Sequence, residues 1–273
     1  MEHDDLRPFA AMWNLSLDGP VLDTPSSRIA FGCRNGSPVV LKVAKHQGDE
    51  AGAHRALLHF AGCACVRLLD HANGAVLLER LAPGRPLTEH VLADQDDAAT
   101  AAICDVARSL HRPAPPDGGF PTIEDWGLAL EQCRRRSAAG IPGDMLQRAC
   151  ALFAELAASQ GDRKLLHGDL HHDNILWDAA RGWVAVDPKG VIGEPAYELG
   201  AMLRNPTENP ELFAQRSIAA RRAGIIAERL ACDADRVLAW GFAQAVLSAV
   251  WALEDGADPT RGLATARAIW PLL

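Results

Sequence analysis

Between Leu165 and Asp187 the chain reads LLHGDLHHDNILWDAARGWVAVD. Its polar centre, His167-Gly168-Asp169-Leu170-His171-His172-Asp173-Asn174, lies between apolar Leu165-Leu166 and the apolar run Ile175-Leu176-Trp177. A turn from Asp178 to Gly182 leads to a second apolar run, Trp183-Val184-Ala185-Val186, which ends at Asp187. Two short apolar runs about a Gly-containing polar turn predict a β-hairpin. Asp169 and Asn174 would precede one strand and Asp187 would close the other, so a carboxylate, a carboxamide and a second carboxylate converge. That set suits phosphoryl transfer. Hard Mg²⁺ takes oxygen ligands such as Asn174 and Asp187, and a further carboxylate, Asp169, can accept the proton of an attacking hydroxyl. Asp169 alone would read as part of a polar turn with local hydrogen bonds; several such elements in order favour the chemical reading.

The flanking elements must deliver partners to that set. Val39-Val40-Leu41-Lys42-Val43 is apolar and β-branched, and Asn35-Gly36 ahead of it is a strong hairpin-turn signal. Lys42 is a lone cation in that strand; by itself it would read as a snorkelling surface position. A helix is predicted over Asp49 to Phe60 with Glu50 in its first turn, where an acid is common for helix-dipole reasons alone. Val66 to Leu69 and Ala75 to Leu78 form another hairpin pattern. The Pro- and Gly-rich stretch from Glu79 to Pro86 reads as a linker. Beyond it, helices are predicted over Asp96 to His111, Asp125 to Arg136, Asp144 (as N-cap) to Ser159, Ala196 to Arg204, Glu211 to Arg229, Asp235 to Glu254 and Thr260 to Leu272. The expected organisation is a small β-rich lobe at 1–79, a hinge linker at 80–86 and a helical lobe at 87–273 that carries the catalytic hairpin.

The balance of 35 acidic against 27 basic residues gives a net charge of −8. This argues against a nucleic-acid partner, which normally meets a basic face, and suits a cationic small molecule. Seven cysteines, an odd count with Cys104 and Cys150 inside apolar helical patterns, suggest reduced thiols in a cytoplasmic protein. The acidic N-terminus, MEHDDLRPFA, lacks the apolar core of an export signal. The most apolar stretch, near Ala239 to Leu253, reads as too short for a membrane span. A monomer or weak dimer without membrane contact is expected.

Lys42 on a strand, Glu50 opening the next helix, His167-x-Asp169-x-x-x-x-Asn174 and then Asp187 follow the order of a kinase-type active site. In that reading Lys42 holds the α- and β-phosphates of ATP, oriented by an ion pair with Glu50. Asn174 and Asp187 hold Mg²⁺, and Asp169 orients and deprotonates the acceptor hydroxyl. Further segments point the same way: Thr24-x-Ser26-Ser27, Leu41-Lys42-Val43, Glu50-Ala51-Gly52, Leu77-Leu78-Glu79-Arg80, Ala185-Val186-Asp187-Pro188-Lys189-Gly190 and Leu247-Ser248-Ala249-Val250-Trp251. With them the chain resembles the aminoglycoside phosphotransferase family over nearly its whole length. Within that family it resembles the branch of streptomycin 6-phosphotransferases and hydroxyurea phosphotransferases. The resemblance implies a two-lobed, protein-kinase-like α+β fold whose N-terminal lobe binds nucleotide. Backbone groups from Glu79 to Leu81 would receive the adenine. No G-x-G-x-x-G loop covers the phosphates, so the region of Ser26 and Ser27 serves instead. Asp187 is followed by Pro-Lys rather than Phe-Gly. Both departures fit the branch, and the second argues against a protein kinase. His171 and His172, adjacent in sequence and without further zinc-like spacing, read as loop-ordering residues.

The acceptor site is expected among Asp173, Glu194, Tyr197, Glu198, Trp251, Glu254 and Asp255, because guanidinium groups pair with carboxylates and stack on Trp. The expected function is ATP- and Mg²⁺-dependent phosphorylation of a hydroxyl on a small cationic molecule, streptomycin or a related aminoglycoside. A new dianion on such a drug would spoil its binding to an anionic target and so confer resistance. Three alternatives stay open at this stage. One is a kinase of hydroxyurea or another small metabolite on the same scaffold, and another is GTP in place of ATP. The third is a non-catalytic nucleotide-binding regulatory protein, against which the intact Lys42, Asp169, Asn174 and Asp187 speak.

Overall fold

The computed structural model describes residues 5–45, 52–136, 140–206 and 209–273. A short helix α1 (Arg7–Met12) precedes β1 (Ser16–Asp23), β2 (Ser27–Arg34) and β3 (Ser37–Ala44), then α2 (Ala53–Phe60), β4 (Leu68–Ala72) and β5 (Ala75–Glu79). The strands form one antiparallel sheet in the order β1-β2-β3-β5-β4. Asn35 and Gly36, at φ +52° and +80°, make the β2–β3 turn that their types predicted. Side chains alternate along β3, so Val39, Leu41 and Val43 bury on one face while Val40 and Lys42 turn to the other. The first face is covered by Leu6 and Trp13, which flank α1. The second face lines a cleft. Sequence reading assigned no helix to 7–12; it has no side-chain cap and no buried residue of its own, and its anchors are the flanking Leu6 and Trp13, with Phe9 packed beside them.

Glu79 runs into the connection between lobes, where β6 (Pro83–Pro86) pairs with a later strand. There follow α3 (Thr88–Leu92), α4 (Asp96–Leu110), α5 (Ile123–Arg136) and α6 (Gly143–Ala158). Next come β7 (Lys164–Leu166), β8 (Ile175–Asp178), β9 (Gly182–Ala185) and β10 (Val191–Gly193), then α7 (Pro195–Glu198), α8 (Arg216–Leu230), α9 (Ala234–Glu254) and α10 (Thr260–Ile269). The predicted hairpin is β8–β9, with Ile175 opposite Ala185, and β6 adds a third strand to it. β7 and β10 form a separate ladder, with Leu166 opposite Val191. The chain therefore crosses between the two ladders twice, over 167–174 and over 186–190, and both crossings carry the residues singled out above.

Several boundaries differ from expectation. Residues Ala196 to Arg204 do not form one helix: α7 stops at Glu198, and only a 3-10 turn, Met202–Arg204, follows. Gly200 lies between them, with the Gln244 side chain about where its Cβ would project, so the backbone is held in place by packing while its helix propensity is poor. Pro142, not Asp144, occupies the N-cap of α6, and Asp144 accepts the N–H of Met145. α8 starts at Arg216 after a 3-10 turn at Pro210–Leu212, and α10 ends at Ile269 ahead of Pro271. α9, 21 residues long, matches the helix expected over Asp235 to Glu254. By length and composition it could cross a membrane, although the apolar stretch near Ala239 to Leu253 reads as too short to do so. Here Val237, Leu238, Trp240, Phe242, Val246, Leu247 and Val250 are buried in the protein core, which accounts for its apolar character without a bilayer.

Candidate active site

His167 organises the first crossing. Its Nε2 lies 2.8 Å from the carbonyl oxygen of Val186, so Nε2 carries the proton, and its Nδ1 accepts the N–H of Asp169 at 3.3 Å. The ring is fully buried, and burial pushes its pKa down, in keeping with a neutral imidazole. Its carbonyl receives the N–H groups of Lys189 (2.8 Å) and Gly190 (3.1 Å), so the two crossings are stitched together. Gly168 has φ +88°, and a Cβ there would come within 2.8 Å of the Trp126 indole; only glycine satisfies both demands.

Asp169 follows. Its Oδ1 lies 3.5 Å from Arg204 Nη2 and its Oδ2 lies 3.6 Å from His171 Nε2. Burial alone would raise its pKa, but hydrogen bonding and charge from His171, with Arg204 behind, hold the carboxyl well below the usual carboxylate range. In return, Asp169 and Asp173 outweigh the effect of burial on His171 and push its pKa up to about 9. His172 is buried with both ring nitrogens unpaired, and burial drives its pKa down to about 3. Asn174 donates from Nδ2 to the Asp169 carbonyl (2.9 Å), which directs its Oδ1 elsewhere, and its own carbonyl accepts the N–H of Val186 at 2.9 Å.

Asp187 sits at φ +61°, an uncommon value for a non-glycine residue. One carboxylate oxygen is held by Lys42 and the other by Lys189, at 3.1 Å. Burial opposes ionisation, but the two ammonium charges outweigh it, and the pKa of Asp187 is lowered. A cleft of about 880 Å³ joins these groups. Ser26, Ser27, Lys42, Glu79 and Leu81 line it from above, and Asp169, Asp173, Asn174, Asp187 and Lys189 from below.

Within that cleft the groups differ in what they have free. Ser27 is buried, its hydroxyl against Thr24 Oγ1 at 3.0 Å. The Glu79 carboxylate turns toward Arg181 and Arg67, and the N–H groups of Glu79 and Arg80 bond the carbonyls of Arg67 and Pro38. Arg181 also bonds the Cys65 carbonyl at 2.8 Å, which fastens the β8–β9 hairpin to the N-terminal lobe. Glu50, assigned to orient Lys42, lies outside the described residues.

A sequence profile of the aminoglycoside/hydroxyurea antibiotic resistance kinases matches residues 12–256. The chain belongs to that family. It is 33% identical over 249 residues to the streptomycin 3''-kinase of Klebsiella pneumoniae, spanning 89% of this chain and 91% of that one. It is 32% identical over 255 residues to the streptomycin 6-kinase of Streptomyces glaucescens, spanning 89% and 80%. It also superposes on a thermostable mutant of aminoglycoside phosphotransferase APH(4)-Ia in ternary complex with ADP and hygromycin B. That match has a TM-score of 0.68 over 97% of this chain and 98% of the other, and at 17% identity it concerns the fold alone. The phosphotransferase class and the two-lobed kinase-like fold expected from the sequence are those found.

In this family member the residues assigned to an acceptor site do not stay together. Glu194 (5% exposed), Tyr197 (2%) and Glu198 (2%) belong to the core. Glu194 holds the Trp240 indole N–H and Arg236, while Glu198 accepts the N–H groups of His167 (2.6 Å) and Gly168 (2.9 Å). Their carboxylates are spent on internal donors, so they offer no face to a substrate and act as scaffold instead. Asp173 bonds Thr88 and lines the same cleft. Trp251 is half-buried and packs edge-on against Trp126 at 5.7 Å, with Glu254 and Asp255 exposed one turn beyond. Sequence reading gave no role to Lys189, Arg204 or Trp126. Only Lys189 carried a signal, its position two residues after Asp187; the other two reach the site through tertiary packing.

Proposed function

We propose that this phosphotransferase moves the γ-phosphoryl group of ATP to a hydroxyl of streptomycin or a related aminoglycoside, using Mg²⁺. The observation that carries the reading is that Asp169, Asn174 and Asp187 edge one cleft of about 880 Å³ whose opposite wall brings in Lys42. The named activities of the two streptomycin kinases support the acceptor class. The free state of all seven cysteines supports a reducing, cytoplasmic setting.

The donor set fits Mg²⁺. Asn174 Oδ1 and the Asp187 carboxylate are hard oxygens, and no group of three or more His, Cys, Asp or Glu converges as a metal cage among the described residues. A cation here would draw its remaining ligands from phosphate and water. When bound, it would offset charge on the phosphates during transfer. Lys42 would bind the phosphates from the sheet side, and Ser26 and Ser27 would lie over them. Asp169, kept anionic by Arg204 and His171, is a weak base. It orients the acceptor hydroxyl and takes its proton late, as the new oxygen–phosphorus bond forms, which suits a loose transition state.

A coupled ADP-release assay tests this reading with streptomycin, other aminoglycosides and hydroxyurea as acceptors, and Asp169→Asn as control. Turnover with streptomycin that the substitution removes, with nucleotide binding retained, is expected. Undiminished turnover in Asp169→Asn would sink the assigned role. Turnover with hydroxyurea alone would replace the acceptor and keep the chemistry.

A further inference from the structure

We propose that Lys189 is a catalytic residue whose ammonium group binds the transferring γ-phosphoryl from the side of Asp169. This rests on the phosphotransferase reading above and adds a residue to it. Lys189 is not a free surface lysine. Its N–H is bonded to the His167 carbonyl at 2.8 Å, and its Cβ lies 3.4 Å from where a Cβ on Gly168 would stand. Its carbonyl is 3.1 Å from where a Cβ on Gly52 would project, just ahead of α2. The residue is wedged between the catalytic loop and the N-terminal lobe, with its side chain directed into the cleft.

Its ammonium group lies 3.1 Å from Asp187 Oδ2, while Lys42 takes Oδ1. One carboxylate thus faces two cations. Were Asp187 to hold Mg²⁺, its carboxylate would be shared between the cation and the two lysines, and the pinned backbone of Lys189 keeps its ammonium group in the cleft. The cleft that Lys189 lines together with Asp169, Asn174 and Asp187 is where a terminal phosphate would sit, an anion its ammonium group would meet. Lys42 approaches from β3 on the sheet side; Lys189 approaches from the side of the loop at 167–174, to which its own N–H is bonded at His167. In a loose phosphoryl transfer the charge spreads over the equatorial oxygens of the moving group, and a compact ammonium serves there as a point charge. The chain has no glycine-rich G-x-G-x-x-G loop to supply backbone donors instead.

The test compares the wild type with Lys189→Met, which keeps the aliphatic stem, and Lys189→Arg, which keeps the charge. Calorimetry would measure affinity for Mg-ADP and for the non-hydrolysable Mg-AMP-PNP, and thermal melting would confirm that each variant is folded. For Lys189→Met, Mg-ADP affinity should stay within about threefold, while the preference for AMP-PNP over ADP falls by about tenfold. Turnover with the best acceptor should fall by about 100-fold, and Lys189→Arg should recover part of both. An unchanged AMP-PNP preference in a folded Lys189→Met variant would overturn the inference, as would Mg-ADP binding that changes as much as AMP-PNP binding. A wild type that binds neither nucleotide would instead overturn the underlying phosphotransferase reading, and this inference with it.

Discussion

The Glu198 carboxylate accepts the backbone N–H of His167 at 2.6 Å on Oε2 and that of Gly168 at 2.9 Å on Oε1. It also lies 3.4 Å from His111 Nε2. One buried acid thereby shapes the backbone that delivers Asp169, from an element 30 residues further along the chain. In Glu198→Gln either orientation of the amide leaves one of the two N–H groups facing an NH₂. The expected cost is about 2–3 kcal/mol of stability. The expected loss in kcat is about 100-fold, because Asp169, the proposed base, is misplaced while KM for the acceptor changes little. Urea unfolding and steady-state kinetics read the two effects. A stable variant with a raised acceptor KM would return Glu198 to the acceptor site.

The same loop makes stability sensitive to acid. His167 is buried neutral, with a folded pKa below its ordinary value of 6.5, so the unfolded chain binds a proton there that the native state refuses. Stability must then decline as pH falls below that value. Glu198 follows. Burial works against its charge, but His111, His167 and the Gly168 N–H lower its pKa below the ordinary 4.5. Its contribution is present above 4.5 and is lost as pH falls through the folded value. The buried His172, its pKa lowered to about 3, adds to this loss. His171, raised to about 9, gains stability toward acid and offsets part of it. The urea midpoint should therefore drop between about pH 7.5 and pH 5, and more steeply below. A midpoint that stays flat down to about pH 5 would contradict neutral buried His167 and His172.

How much of this was legible depends on where the partners lie in the chain. The catalytic stretch is contiguous, so spacing alone exposes Asp169, Asn174 and the hairpin that presents Asp187. Lys42 was readable because alternation along β3 separates it from Val39, Leu41 and Val43. Glu198 was misread as a substrate-facing acid because its partners are backbone N–H groups, which carry no residue-type signal. Glu194 was misread for a similar reason, since Trp240 and Arg236 arrive from α9. Trp126 reaches Gly168, and Arg204 reaches Asp169, only once the helices have packed. The break after α7 turns on Gly200 packing against Gln244, again a contact between distant segments.

Arg222 is fully buried on α8 and bonds Asp96 of α4 through Nε and Nη2, the latter at 2.6 Å. Its Nη1 donates to the carbonyls of Met202 (2.8 Å) and Asn205 (2.7 Å), which bracket Arg204. Arg222→Met leaves Asp96 to Arg221 alone, at 2.8 Å, and frees two carbonyls, at a cost of about 3 kcal/mol. Lys cannot reproduce the fork, so Arg222→Lys should recover little of this. Thermal melting measures it, and a loss below about 1 kcal/mol would show that the cluster contributes nothing beyond a surface pair.

The acceptor surface has its own prediction. Trp126 abuts Gly168, and Trp251 packs edge-on against Trp126, so the aromatic pair adjoins the loop at 167–174 on elements that do not line the cleft proposed for ATP. Glu254 and Asp255 end α9 just beyond and are exposed, free to meet a guanidinium group. Exposed acids contribute through charge attraction that salt screens. In the double variant Glu254→Gln with Asp255→Asn, KM for streptomycin should rise by about tenfold, with kcat and KM for ATP nearly unchanged. The wild-type KM should itself rise with added salt, and the variant's should rise less. If the variant matches the wild type at every salt concentration, cationic recognition lies elsewhere on the helical lobe. A fall in kcat without a rise in KM would assign these acids to closure of the site rather than to binding.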